Sequence, residues 1–86
     1  MRQTRATAPA IGEAIREVRL EKRMTQAQLA ERARLTQATV SRIESGSRQG
    51  DIETLAVIAA ALGLALWILI RRAEGLRMIL GAFSAR

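Results

Sequence analysis

Apolar residues recur along this chain at intervals that suit helices. Ile11, Ala14, Ile15 and Val18 fall at i, i+3, i+4 and i+7, with Glu13, Arg16 and Glu17 between them. That spacing predicts an amphipathic helix from Pro9 to about Lys22 or Arg23, and proline suits a first helical turn, where no amide partner is lost. Thr25-Gln26-Ala27-Gln28 has the form of a capping box and opens a second helix, with Leu29, Ala30 and Ala33 as its inner stripe. Thr36 opens a third helix after a short turn. Val40 and Ile43 face inward there, and Gly46 supplies a left-handed stop. The stretch SGSRQG, residues 45–50, reads as a loop. Asp51 then caps a fourth helix, with Glu53 in its positive first turn and with Ile52, Leu55, Ala56, Ala59 and Leu62 as its inner stripe.

After Gly63 the pattern changes. LALWILI, residues 64–70, is short and dense in large apolar side chains, which predicts a strand closed by Arg71 and Arg72. Leu76, Ile79, Leu80 and Phe83 then predict a short C-terminal helix. A lone strand cannot satisfy its own backbone groups, so its partner would be the same strand of a second copy across a twofold axis. Leu64, Leu66, Ile68 and Ile70 would line one face, with Ala65, Trp67 and Leu69 on the other. Dimerisation is thus assigned to Leu66, Trp67, Ile68, Leu69 and Ile70. The fold class is mainly all-α: a four- to five-helix bundle with one C-terminal strand. Residues 1–8 form a loose basic arm, 9–63 a helical domain, and 64–86 a dimerisation segment. In the arm, Arg2 and Arg5 either reach a DNA backbone or minor groove or belong to a plain tail.

A second reading of the apolar run is a membrane anchor. Residues 55–70 carry no charge and Arg71-Arg72 follows, but 16 residues fall short of the roughly 20 needed to cross. Division at Gly63 into a core helix and a strand accounts for the run without a membrane.

Composition narrows the chemistry. The 86 residues hold 14 basic against 8 acidic side chains, a net charge of +6, with Lys22 the one lysine. That balance suits a polyanion, and arginine suits phosphates and guanine edges. There is no Cys and no His, so disulfides and thiolate or imidazole metal sites are excluded and no cofactor is expected. The chain has no Tyr and no Gly-rich phosphate loop either, which argues against an enzyme. The N-terminus lacks the apolar stretch of a signal peptide, and a cytoplasmic setting fits.

Two short helices that follow each other this closely have the pattern of a helix-turn-helix. Leu29, Ala33, Leu35, Val40 and Ile43 fill its inner positions, and Ala30 stands where the helices approach most closely. The opposite side of the third helix carries Gln37, Ala38, Ser41 and Arg42. A bare helical hairpin accounts for the inner stripes, but not for an outer side that is short, polar and free of acid until Glu44. A helix that enters a major groove requires such a side.

The stretches IGEAIREVRLEKRMTQAQLAERA, LTQATVSRIESG and IETLAVIAAALG, within residues 11–63, resemble the helix-turn-helix family of phage Cro and CI repressors and Xre-type regulators. The resemblance implies a repressor-like bundle that dimerises on a palindromic operator in double-stranded DNA, in the bacterial cytoplasm at the nucleoid. It implies that Gln26 anchors to a phosphate and that Gln37, Ala38, Thr39, Ser41 and Arg42 reach bases or flanking phosphates. Gln37 and Arg42 suit adenine and guanine, and Arg48 joins the DNA-binding set. Arg19 and Glu44 match a family pair that orients Arg19 near the backbone. One departure is Arg34, which stands where the family usually has a turn glycine. A repressor-like bundle followed by one strand also resembles the HipB-type antitoxins, which implies a kinase-like toxin as an alternative partner.

Overall fold

The computed structural model describes the backbone of residues 7–84 and the side chains of residues 7–75. Among the described residues there are five helices and no strand: α1 (Ala8–Glu21), α2 (Gln26–Ala33), α3 (Gln37–Ser45), α4 (Ile52–Ala61) and α5 (Leu66–Ser84). The arm residues 1–6, with Arg2 and Arg5, lie outside the described residues.

Each of the first four helices starts on a side-chain cap that satisfies one orphan amide. Thr7 caps α1 by accepting from the Ala10 amide at 3.3 Å, so the helix begins one residue before Pro9. The Thr25 hydroxyl accepts from the Gln28 amide at 3.0 Å, while the Thr25 amide donates to the Gln28 side chain at 2.8 Å. Thr36 accepts from the Thr39 amide at 3.1 Å and Asp51 from the Thr54 amide at 2.7 Å.

Three helices end by one turn geometry. The amide of a residue two or three past the helix returns to a carbonyl five residues back: Met24 to Arg19 at 3.1 Å, Leu35 to Ala30 at 2.9 Å, Leu64 to Ala59 at 2.8 Å. This turn needs a left-handed residue just before that amide. Arg23 (φ 56°), Arg34 (φ 58°) and Gly63 (φ 76°) occupy that place. The turn at Arg34 therefore keeps its left-handed shape without glycine, at a cost of about 1 kcal/mol. The apolar residue that follows each time packs inward: Met24 is buried, and Leu35 and Leu64 pack against the core.

The core is built from Ala14, Ile15 and Val18 of α1, Leu29 and Ala30 of α2, Val40 and Ile43 of α3, and Leu55, Ile58, Ala59 and Leu62 around α4. The expected inner stripe of α4 is corrected at one point: Ile52 is 76% exposed, and Ile58 is fully buried in the core instead. α4 is apolar nearly all round, so its composition does not mark a face, and packing against its neighbours selects the stripe.

The expected strand over residues 64–70 is helical. Leu66 starts α5, and the separately expected C-terminal helix is its continuation to Ser84. Leu69 and Ala73, one turn apart, are both fully buried against the bundle, with Leu66 and Ile70 beside them. A run of seven apolar residues carries no period of its own. The helix wins because its i, i+4 pair fills the core and its backbone bonds close internally. Leu69 is thereby lost to any dimer surface, and alternation of side chains across a strand does not occur. The HipB likeness rested on that strand and loses its basis with it. Arg72 fastens α5 to α1 through Glu21, with its Nη1 donating to Oε1 at 3.3 Å, and lies 3.5 Å from Glu17. Glu21 is the main cause that raises the Arg72 pKa.

No single helix among the described residues is long and apolar enough to cross a membrane. The α4–α5 pair reaches that length and composition only together and is bent by 96° across the break at residues 62–65.

A candidate nucleic-acid interface on α2 and α3

The third helix owes its position to the first. Gly12 of α1 lies against the Ile43 and Glu44 carbonyls, where an added Cβ would meet the Ile43 oxygen at 2.2 Å. Gly46, left-handed at φ 79°, ends α3 against Pro9; a Cβ there would fall 2.9 Å from the proline Cα. Val40 and Ile43 are buried from the other side. Backbone approach at one end and apolar packing along the inner face leave the outer face of α3 turned outward.

On that face Gln37, Ala38, Ser41 and Arg42 are exposed and Thr39 is half-buried. None of the described side chains covers them. The Thr36 hydroxyl donates to Thr39 Oγ1 at 2.9 Å, and Arg48 Nη1 donates to the same Thr39 oxygen at 3.4 Å. The loop after α3 is folded back on it: the Arg48 amide and the Ser47 hydroxyl both donate to the Arg42 carbonyl, at 3.2 and 3.3 Å. Arg48 thus joins the α3 surface from outside the helix. It also sits near Asp51, whose pKa is lowered first by the Thr54 amide, then by the Thr54 hydroxyl and by the charge of Arg48.

Behind this face lies a buried polar cluster. Arg19 and Glu44, from α1 and α3, are 8% and 7% exposed. Arg19 Nε donates to Glu44 Oε2 at 2.6 Å and Nη2 to Oε1 at 3.1 Å, while Nη1 donates to the Met24 carbonyl at 2.8 Å. A bidentate pair of this kind compensates the desolvation of two buried charges. Gln26, the first residue of α2, donates its Nε2 to Glu44 Oε1 at 3.1 Å. The residues expected to contact DNA therefore divide. Gln37, Ala38, Thr39, Ser41, Arg42 and Arg48 share one outer surface. Gln26 stands half-buried between that surface and the cluster, and Arg19 points inward. Sequence reasoning did not find Gly12, the Met24 carbonyl or the tie between Gln26 and Glu44. A glycine within an otherwise regular amphipathic helix was the one signal for the first, and nothing local announced the others.

Among the described residues no group of three or more acidic, His or Cys side chains is placed so as to hold a metal ion. The arrangement offers amide, hydroxyl and guanidinium donors on a helix narrow enough for a major groove.

Comparison with known proteins bears on this surface. A model of the helix-turn-helix family matches residues 15–66. The immunity repressor protein of Bacillus phage phi105 is 37% identical over 54 residues, which are 63% of this chain and 38% of that protein. The chain thus spans well under half the length of that relative. The solved structure of the clp gene regulator ClgR from Corynebacterium glutamicum is similar with a TM-score of 0.86 and 28% identity, over 98% of this chain and 86% of that one. The restriction-modification controller protein C.AhdI from Aeromonas hydrophila is similar with a TM-score of 0.70 and 27% identity, over 72% of this chain and 94% of that one.

Proposed function

The chain belongs to the helix-turn-helix family of DNA-binding transcriptional regulators, and from that premise we propose that it is a repressor that binds a palindromic operator as a homodimer. Each protomer places α3 in a major groove, with the two half-sites one helical turn, roughly 34 Å, apart. The observation that carries this reading is the outer face of α3. Gln37, Ala38, Ser41 and Arg42 are exposed while every large apolar residue of the same helix is buried. Gln37 and Arg42 read bases, Arg48 and Gln26 hold the phosphates on either side, and Thr39 steadies Arg48.

A short helix offers few base contacts, and a twofold repeat supplies the rest of the discrimination. The second copy docks on α5 and the start of α4. Trp67 is 63% exposed and Ile52 76% exposed, with Ile70 between them lining the hollows beside both. Leu66, Trp67, Ile68 and Ile70 remain in the proposed interface, together with Ile52.

Selection of bound fragments from random-sequence DNA tests the reading directly. The recovered sites should be palindromic. Gln37→Ala with Arg42→Ala should abolish the preference for them while leaving the helical circular dichroism unchanged. A preference that survives in the folded double variant would overturn the assignment of α3.

A further inference from the structure

The carboxylate of Glu44 does more than balance Arg19. Its Oε1 accepts two hydrogen bonds, one from Arg19 Nη2 and one from Gln26 Nε2, both at 3.1 Å. Its side chain is 3% exposed and that of Arg19 is 10% exposed. Three of the guanidinium's donors are directed to Glu44 and the Met24 carbonyl, so Arg19 acts as a strut. Gln26 is the member of the cluster that reaches the surface.

A glutamine amide can present either a donor or an acceptor edge, and a free one rotates between them. A carboxylate only accepts, so Glu44 requires the amide nitrogen to face it. One Nε2 hydrogen is then committed and the second is left uncommitted on the same nitrogen. Resting on the reading of α3 as the DNA-contacting helix, we propose that Glu44 is a positioning residue for the DNA backbone contact. It holds the Gln26 amide so that the second Nε2 hydrogen meets a phosphate at the edge of the groove that α3 enters. The nitrogen lies between two anions and gives one hydrogen to each. Because Arg19 neutralises Glu44, the carboxylate does not repel the phosphate. Holding the rotamer before binding also removes part of the ordering cost of the contact. The one helix α3 thus carries both the base-reading face and, in Glu44, the group that aims the phosphate contact of α2, which couples the register of the two helices on DNA.

The test uses the full chain and a duplex recovered from random-sequence DNA, with single phosphates replaced by neutral methylphosphonates. Gln26→Ala should bind about tenfold more weakly, the worth of one hydrogen bond to a charged acceptor. It should also become insensitive to replacement at one phosphate that matters to the wild type. Glu44→Gln should lose sensitivity at that same phosphate and retain it at the others. In the Gln26→Ala background, Glu44→Gln should remove no further sensitivity. Should Glu44→Gln fail to fold, Arg19→Met combined with Glu44→Leu exchanges the buried pair for apolar groups, which such sites commonly tolerate, and the same phosphate should fall silent. A folded Glu44 variant that keeps wild-type sensitivity at the Gln26 phosphate would overturn the proposal while leaving the DNA-binding reading intact. A wild-type chain that recovers no preferred duplex would overturn both.

Discussion

Gly12 and Ile43 meet backbone to backbone: a Cβ on Gly12 would fall 2.2 Å from the Ile43 carbonyl oxygen and 2.5 Å from that of Glu44. No side-chain adjustment relieves such a contact, because both obstructing atoms belong to the main chain of α3. The position of the base-reading helix relative to α1 therefore depends on the absence of one methyl group.

Gly12→Ala should accordingly destabilise the protein by about 1–3 kcal/mol or more, even though alanine is the better helix former. The urea midpoint measures the effect. A variant as stable as the wild type would show that α1 and α3 do not approach this closely.

Arg34 and Arg23 occupy left-handed turns, at φ 58° and 56°. Replacing Arg34 by glycine should stabilise the fold by about 1 kcal/mol, by removing the Cβ penalty. Arg34→Ala keeps the Cβ and should bring no such gain, which separates backbone strain from loss of the guanidinium. Equal effects of the two changes in chemical denaturation would refute the strained turn.

Leu69 and Trp67 lie two residues apart on α5 with opposite environments, fully buried and 63% exposed. Leu69→Ala should cost about 2–5 kcal/mol of stability. Trp67→Asp should leave the thermal unfolding of the dilute protomer nearly unchanged, within about 0.5 kcal/mol, but shift sedimentation toward the monomer. Like effects at the two positions are what a strand with Trp67 and Leu69 on one common face would produce.

Asp51 caps α4 and its pKa is lowered in the folded state, chiefly by the Thr54 amide. A carboxylate with a depressed folded pKa contributes stability that is present above its unfolded pKa and is lost as pH falls through the folded one. Asn caps equally well without a charge. Wild type should therefore exceed Asp51→Asn most clearly near neutral pH, and the gap should close below about pH 4. Denaturation midpoints of both proteins at pH 7 and pH 3 measure it; a gap that does not change with pH would mean that the cap bond does not depend on the charge.

How much was legible in the chain follows from the range of the interactions involved. The caps at Thr25, Thr36 and Asp51 act over three residues, and the inner positions of α2 and α3 repeat with the helical period, so local order in the sequence specifies them. The outward face of α3 follows from the same period. Residues 64–70 are apolar at every position and therefore compatible with strand and helix alike. Only the opening in the bundle that Leu69 and Ala73 fill selects the helix, and only neighbours of α4 select Ile58 over Ile52. The left-handed turn at Arg34 escapes a reading that looks for glycine, because the hydrogen bond from Leu35 to Ala30 and the burial behind it outweigh a penalty of about 1 kcal/mol. The tie of Gln26 to Glu44 spans 18 residues and joins groups whose separation no periodicity encodes. Local spacing thus determined which helices form and which side chains face outward. Tertiary packing alone decided what each polar group touches, since that depends on where separate helices come to rest against one another.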